Sequence, residues 1–402
     1  MCSSFKSGIF AGASVLHFRL GAVSGKKSRD FFERGYTGRV IEPILVFWGS
    51  GMERKRMKML SGFFAAILFC MLVGCSYTTS SISGEEITVG FMAAEFSNEF
   101  MIAMQQGFLD RMESLGLEVK MLLCNVDPAV QISQEEDLIV QGVDALVIRP
   151  ADSEIAETLI EIAEQNQIPV FLYDCYIQEE NVVSVITTDN YAIGQIAAES
   201  MGQYLLEKRG EAEGKIAILS GNQANSSHTE RVRGFREYIQ NVYPEIDIVA
   251  ESSVLSEEKI LDTTQDWMTI YGSELSGIYS VTDFNTVIAV EGIESQGYST
   301  NWREENGIIV ISTDGTPDSI ALIRDHRLAG VVSQNAVKIG EKSAEIVEQY
   351  LAEKKQLDSF YYIPSMLITS ENIDSEAVQS FGLWADWYQE RTTGGGEKSW
   401  KE

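Results

Sequence analysis

Two hydrophobic rhythms alternate along this chain. Compact apolar runs at 87–92, 118–124, 145–148, 170–173 and 182–187 have the length and density of buried strands. Between them apolar positions recur at helical spacing, as in Phe100, Met104, Phe108 and Met112, which predicts helices over 98–115, 128–141 and 153–166. After Asp189 the alternation starts again, with helix 191–208, strand 215–219, helix 227–242, strand 246–252, helix 257–270, strand 277–281 and helix 284–295. Parallel strands covered by helices on both faces read as continuous apolar runs. The pattern therefore predicts an α/β fold of two doubly wound, Rossmann-like halves with parallel sheets.

The stretch 307–335 carries the clearest βαβ unit. An apolar run, Ile308 to Ile311, ends in Ser312, Thr313, Asp314 and Gly315. Pro317 suits the first turn of a helix through Ile320 and Ile323, and 328–332 reads as the next strand, with Gln334 at its end. Ligands of open α/β sheets bind beyond the carboxyl ends of the strands, which makes Asp314 and Gln334 candidates for a binding site. A buried carboxylate there needs hydrogen-bond donors, and a hydroxyl-rich ligand supplies them in pairs. On spacing alone Asp314 fits a turn or helix cap equally well.

Ahead of the first strand the sequence changes character. Residues 1–51 show no sustained period. From Met52 onward a basic run, Arg54 to Lys58, precedes an apolar segment, Met59 to Val73, that closes on Leu72-Val-Gly-Cys75. This is the layout of a lipoprotein signal, with a Cys whose thiol is acylated to become the mature N-terminus. About fifteen apolar residues fall short of the roughly twenty that span a bilayer. Residues 52–75 are read as the signal peptide with Cys75 lipidated, 76–86 as a Ser/Thr-rich tether, and 1–51 as an unassigned extension ahead of the true translation start, at Met52 or Met57.

Charge divides at the same place. Of the 31 Lys+Arg, 11 precede Cys75, but only 4 of the 59 Asp+Glu do, so the remainder sets 55 acidic against 20 basic residues. Such an excess lacks the basic footprint that phosphate binding needs and argues against nucleic acid as a partner. The chain has no Gly-x-Gly-x-x-Gly after a strand, no Walker-type Gly-Lys-Ser/Thr and no Gly-x-Ser-x-Gly elbow. Its three histidines, His17, His228 and His326, show no metal-ligand spacing. Enzymatic activity, a cofactor and a metal are not expected, and His228 and His326 are read as helix-surface residues.

Further motifs accompany Ser312-Thr-Asp-Gly-Thr-Pro-Asp and Leu328-Ala-Gly-Val-Val-Ser-Gln in a fixed order: Ser97-Asn-Glu-Phe, Ile148-Arg-Pro-Ala-Asp, Pro169-Val-Phe-Leu-Tyr-Asp, Thr188-Asp-Asn-Tyr-Ala-Ile-Gly and Arg231-Val-Arg-Gly-Phe. Over roughly 87–370 the series resembles the ribose-binding-protein family, the type 1 periplasmic sugar-binding proteins of ABC importers. The resemblance implies two lobes joined by a three-segment hinge, the periplasmic binding protein type 1 fold. The N-terminal lobe would comprise 87–188 plus 335–363 and the C-terminal lobe 189–334 plus 364–371. Residues 372–402, with the aromatic run Phe381 to Tyr388, form an appendage and tail beyond the family's usual end.

The resemblance further implies a ligand site built from Asn98, Phe100, Asp174, Arg231, Asp283, Asp314 and Gln334, closing on a carbohydrate. The residue types leave plainer roles open: helix caps for Asn98 and Asp283, core packing for Phe100, a surface ion pair for Arg231 and hinge structure for Gln334. The partners implied are an ABC transporter permease and, through a lipid anchor on Cys75, the extracytoplasmic face of the cell membrane, with the chain a monomer. A ligand-presenting receptor for a membrane sensor kinase or chemoreceptor is the alternative.

Departures from the family bear on the ligand. Cys175 stands where ribose binders have Arg, Thr282 where they have Asn, and Met101, Leu255 and Thr313 where Phe is usual. Ribose itself is therefore not implied; Tyr173, Tyr176, Phe96 or Phe284 are candidates to restore ring stacking. In the family's strand order 2-1-3-4-5, Cys124 and Cys175 would lie about 14 Å apart, beyond disulfide reach, and both are expected free.

Overall fold

The computed structural model describes residues 87–95, 98–175, 177, 181–353 and 356–393. The expected signal peptide, Cys75, the tether and the last nine residues lie outside the described residues, as do Phe96 and Tyr176.

The first lobe is built from β1 (Thr88–Ala93), α1 (Glu99–Leu115), β2 (Glu118–Leu123), α2 (Pro128–Val140), β3 (Ala145–Ile148), α3 (Ala156–Gln165), β4 (Val170–Tyr173) and β5 (Ser184–Thr187). Its strands are parallel in the order β2-β1-β3-β4-β5. The second lobe repeats the plan with α4 (Asn190–Arg209), β6 (Gly214–Leu219), α5 (Ser226–Val242), β7 (Ile246–Ser252), α6 (Glu257–Tyr271), β8 (Leu275–Ser280), α7 (Asp283–Ser295), β9 (Ile309–Asp314), α8 (Pro317–Arg324) and β10 (Gly330–Gln334). Every residue of the central strands β1, β3, β4 and β8 is buried, whereas β2 at the sheet edge is partly exposed. That difference is what helices on both faces of a parallel sheet produce.

The chain then crosses back. Helix α9 (Ala336–Glu353) packs on α1 and on β4 and β5 of the first lobe. Strand β11 (Phe360–Tyr362) adds to the edge of β5, and β12 (Ser365–Ile368) pairs antiparallel with β10 in the second lobe. The lobes are thus linked at 188–189, at Asn335 and at 363–364. Each sheet is buttressed by two apolar clusters, one per face: around Phe108, Phe91 and Ile346, and around Leu138 and Leu159, in the first lobe; around Ile260, Ile293 and Ile323, and around Phe235, Met201 and Ile218, in the second.

Local chemistry sets the helix starts. Asn98, Asp127, Asp189, Asn225, Thr282 and Thr316 each accept a backbone N–H of the first turn, and Pro128 and Pro317 occupy first-turn positions where a missing N–H costs nothing. The helix predicted over 153–166 is broken: Asp152 caps a 3-10 turn, Ser153–Ile155, before α3 begins. Strand β11 escaped the sequence reading because three residues give no measurable period. Cys124 and Cys175 are free and buried.

One buried residue has no counterpart in that apolar logic. Glu135, on the inner face of α2, is fully buried, and neither carboxylate oxygen has a hydrogen-bond partner. Burial, with Glu136 adding, pushes its carboxyl up to about 8. The native state therefore keeps a proton that the unfolded chain has lost. Stability should fall as pH rises from the ordinary carboxyl range through 8, by roughly 1.4 kcal/mol per unit. Glu135→Leu should flatten this slope, which urea midpoints at pH 5 and pH 8 would show; an unchanged slope would place the titration elsewhere.

Candidate functional site

The carboxyl ends of the two sheets face one another, and the sequence-predicted polar residues gather there. Strands β9 and β10 run side by side, with Ser333 opposite Asp314, so that the last side chains of both point off the same sheet edge. Gln334 Nε2 donates to Asp314 Oδ1 at 2.7 Å, and its Oε1 accepts from the Thr188 hydroxyl at 2.5 Å. Gln334 therefore joins the site carboxylate to the first chain crossing.

Arg231 comes to the same carboxylate from α5. Its Nη1 lies 3.2 Å from Asp314 Oδ1 and donates to the Val281 carbonyl at 2.7 Å, while Nε donates to Asn190 Oδ1 at 2.8 Å. The guanidinium is placed by an unusually close helix contact. A Cβ on Gly194 of α4 would meet the Arg231 carbonyl oxygen at 2.1 Å, and one on Gly234 of α5 would meet the Tyr191 carbonyl at 2.1 Å. Only glycine lets the two backbones approach so far. Arg231 is buried, and a surface ion pair is excluded for it.

On the first lobe Asp174 follows β4 as Asp314 ends β9, the equivalent strand of the second lobe. Both carry left-handed backbone, φ 50° and φ 113°, uncommon for a residue other than glycine. Arg149 Nε donates to Asp174 Oδ2 at 2.9 Å, with both side chains buried. Burial raises the Asp174 carboxyl, and Arg149 and then Arg231 oppose the rise, so charge from the second lobe reaches the first across the cleft. Burial likewise pushes Asp314 up to about 7, with Arg231 opposing and Asp283 adding.

Asn98 and Phe100 sit at the start of α1. Asn98 spends its Oδ1 on the Met101 N–H at 2.9 Å as a helix cap. Phe100 is buried and meets the Trp384 ring edge-on, centroids 5.7 Å apart. Glu99 between them is raised by burial and by Asp318 and Asp283 of the second lobe, which sets this helix start near the first turns of α8 and α7.

Asp283 lies beside the site but turns away from it. Its Oδ2 accepts from the backbone N–H groups of Gly315 (2.8 Å) and Thr316 (2.7 Å) and from the hydroxyls of Thr316 (3.0 Å) and Ser319 (2.5 Å), while Oδ1 accepts from Ser312. With that many donors around one fully buried carboxylate, it shapes the loop after β9, and only its N–H points to Asp314, at 3.4 Å from Oδ2. Of the aromatic candidates, Tyr173 stacks in the core on Phe91, centroids 4.9 Å apart, and Phe284 is exposed.

Arg149 and Asn190 were not singled out from the sequence, although both lie inside quoted motifs. Each sits next to a residue with a louder signal, and only the fold shows what it touches. His228 is not a helix-surface residue: it is half-buried, its Nδ1 accepts the Asn222 N–H at 3.0 Å, and burial with Arg231 and Arg149 pushes it down to about 3. No group of three or more metal-ligating side chains occurs among the described residues, and no helix among them is long and apolar enough to cross a membrane.

Comparison with known proteins agrees with the fold. Residues 89–355 match the family described as "Periplasmic binding protein domain". The chain is 28% identical over 288 residues to the ribose import binding protein RbsB of Bacillus subtilis, covering 71% of this chain and 89% of that protein. It is 26% identical over 283 residues to RbsB of Salmonella typhimurium, covering 70% and 91%. Among solved structures, a carbohydrate transporter solute binding protein from Agrobacterium radiobacter, in complex with D-arabinose, superimposes with a TM-score of 0.67 at 19% identity, over 74% of this chain and 99% of that one.

Proposed function

Because the chain belongs to the periplasmic binding protein family, we propose that it captures a sugar or sugar-like polyol between its lobes and delivers it to an ABC transporter permease. The family is one of binding proteins, and the chain is not an enzyme. The observation that carries the proposal is the pair of carboxylate–arginine couples facing each other, Asp174 with Arg149 and Asp314 with Arg231. Planar acceptors and forked donors of this kind meet adjacent hydroxyl groups bidentately. Asn98, Phe100, Asn190 and Gln334 complete the proposed site, and Asp283 supports it from behind. The same reading keeps Cys75 as the lipid anchor that would hold the protein at the extracytoplasmic face of the membrane.

The test is a thermal-shift panel of pentoses, hexoses, disaccharides, polyols and inositols. A ligand at about 100 times its dissociation constant should stabilise the protein by roughly 2.7 kcal/mol, and no shift with any of them would overturn the carbohydrate reading. A hydroxyl donates more strongly to Asp314 when the carboxylate is ionised and both its oxygens accept. Burial pushes that carboxyl up to about 7, so below this value the free protein holds the proton and binding favours its release. Affinity should accordingly rise, by at most about tenfold per unit, as pH climbs towards 7 and level off above. Calorimetry at pH 6 in buffers of different ionisation enthalpy should detect up to one proton released per ligand; pH-independent affinity would remove Asp314 from the ligand's contacts.

A further inference from the structure

Residues beyond 355 lie outside the match to the family, and the last of them that are described do something the two lobes alone do not. Helix α10 (Glu376–Phe381) packs on β12, and α11 (Trp384–Thr393) touches α1 of the first lobe and α8 of the second. Consecutive side chains of α11 enter different cores: Trp384 is buried in the first-lobe cluster with Phe100 and Phe108, and Ala385 in the second-lobe cluster with Ile320 and Ile323. Trp384 also joins the two halves of the site. Its ring meets Phe100 edge-on, and its Nε1 donates to the carbonyl oxygen of Asp314 at 3.0 Å.

The surroundings repeat the bridge. Asn335, at the second crossing, donates through Nδ2 to the carbonyls of Phe381 (3.1 Å) and Gly382 (2.8 Å), and Lys338 Nζ donates to Phe381 at 2.7 Å. Arg391 pairs with Asp110 of α1 at 2.7 Å, while Asp386 lies 3.6 Å from Arg324 of α8. Both ion pairs are substantially exposed and contribute little. The buried elements, Trp384 above all, carry the connection.

We propose that segment 376–393 is a clasp between the lobes, and that Trp384 is a positioning residue for the ligand site. It holds the Phe100 ring from one lobe and the left-handed Asp314 backbone from the other in the closed arrangement. This rests on the proposed ligand-binding role of the cleft. A ligand whose competent state is only fractionally populated binds with an affinity reduced by that fraction, so a clasp that favours the closed state raises affinity without touching the ligand.

The test uses the otherwise intact chain with spin labels at Glu161→Cys in the first lobe and Asp262→Cys in the second, both exposed. Trp384→Ala should lengthen the interlobe distance in the absence of ligand and weaken ligand affinity about tenfold. Asp386→Ala should leave both unchanged. If Trp384→Ala fails to fold, Trp384→Phe, which keeps a ring against Phe100 while removing the N–H and the second ring, should give a smaller lengthening and a smaller loss of affinity. Wild-type distances in the folded Trp384 variants would overturn the clasp, and so would an affinity loss as large in Asp386→Ala. A lengthened distance in a protein that binds no carbohydrate would uphold the clasp and reject the carbohydrate reading instead.

Discussion

Arg231→Ala should weaken ligand capture by at least about 30-fold, the equivalent of roughly 2 kcal/mol, which is the lower end for truncating one partner of a buried, hydrogen-bonded charge pair. The guanidinium links Asp314, the Val281 carbonyl and Asn190. Its removal orphans two acceptors and leaves Asp314 buried without its cation. Breaking a buried pair from one side costs about 3 to 5 kcal/mol of fold stability, so the variant should also unfold at lower denaturant. Arg231→Lys should not restore binding, because an ammonium cannot serve three acceptors in one plane. Titration calorimetry decides the matter. Affinity within threefold of wild type would show that the ligand does not depend on this network.

Asp283→Ala should have the larger effect on stability. Five donors converge on this carboxylate, and each donor left buried and unpaired costs about 1 to 3 kcal/mol. A loss of more than about 4 kcal/mol is expected even if water satisfies some of them. The loop after β9 would then be free to relax, and with it the left-handed Asp314 backbone. Urea unfolding measures the first effect and ligand titration the second. A variant that keeps full stability and loses only affinity would return Asp283 to the ligand-contacting role its sequence position implies.

The fold was legible because its strands are short, apolar and separated by helices of clear period. The run from Ile308 to Gln334 alone displays strand, turn, helix and strand, and the structure reproduces it as β9, α8 and β10. The carboxylates at strand ends were equally legible, since topology places such residues at one edge whatever their partners. Direction was not. Asp283 and Asp314 occupy comparable strand-end positions, yet one carboxylate turns back into loop donors and the other meets Arg231, a choice made by side-chain rotamer and by residues 29 or more positions away. Arg149 stayed hidden for the same reason: its partner, Asp174, is 25 residues on, and nothing in spacing joins them. Trp384 read as part of an aromatic appendage, because a chain segment that packs into two cores at once has no periodic signature for either.

The return of the chain after Gln334 bears on how the protein comes to be folded. Helix α9 covers α1, β11 completes the edge of β5, and β12 completes the edge of β10. A nascent chain that has been made only as far as β10 therefore holds two sheets with unpaired edges and an uncovered apolar face on α1. Edges of that kind recruit other strands, and contacts that span most of the sequence form slowly. Neither lobe is finished until nearly the whole polypeptide is available, so the molecule cannot mature one lobe at a time from its N-terminus. The described residues from Ala336 onward act as the step that commits both halves together.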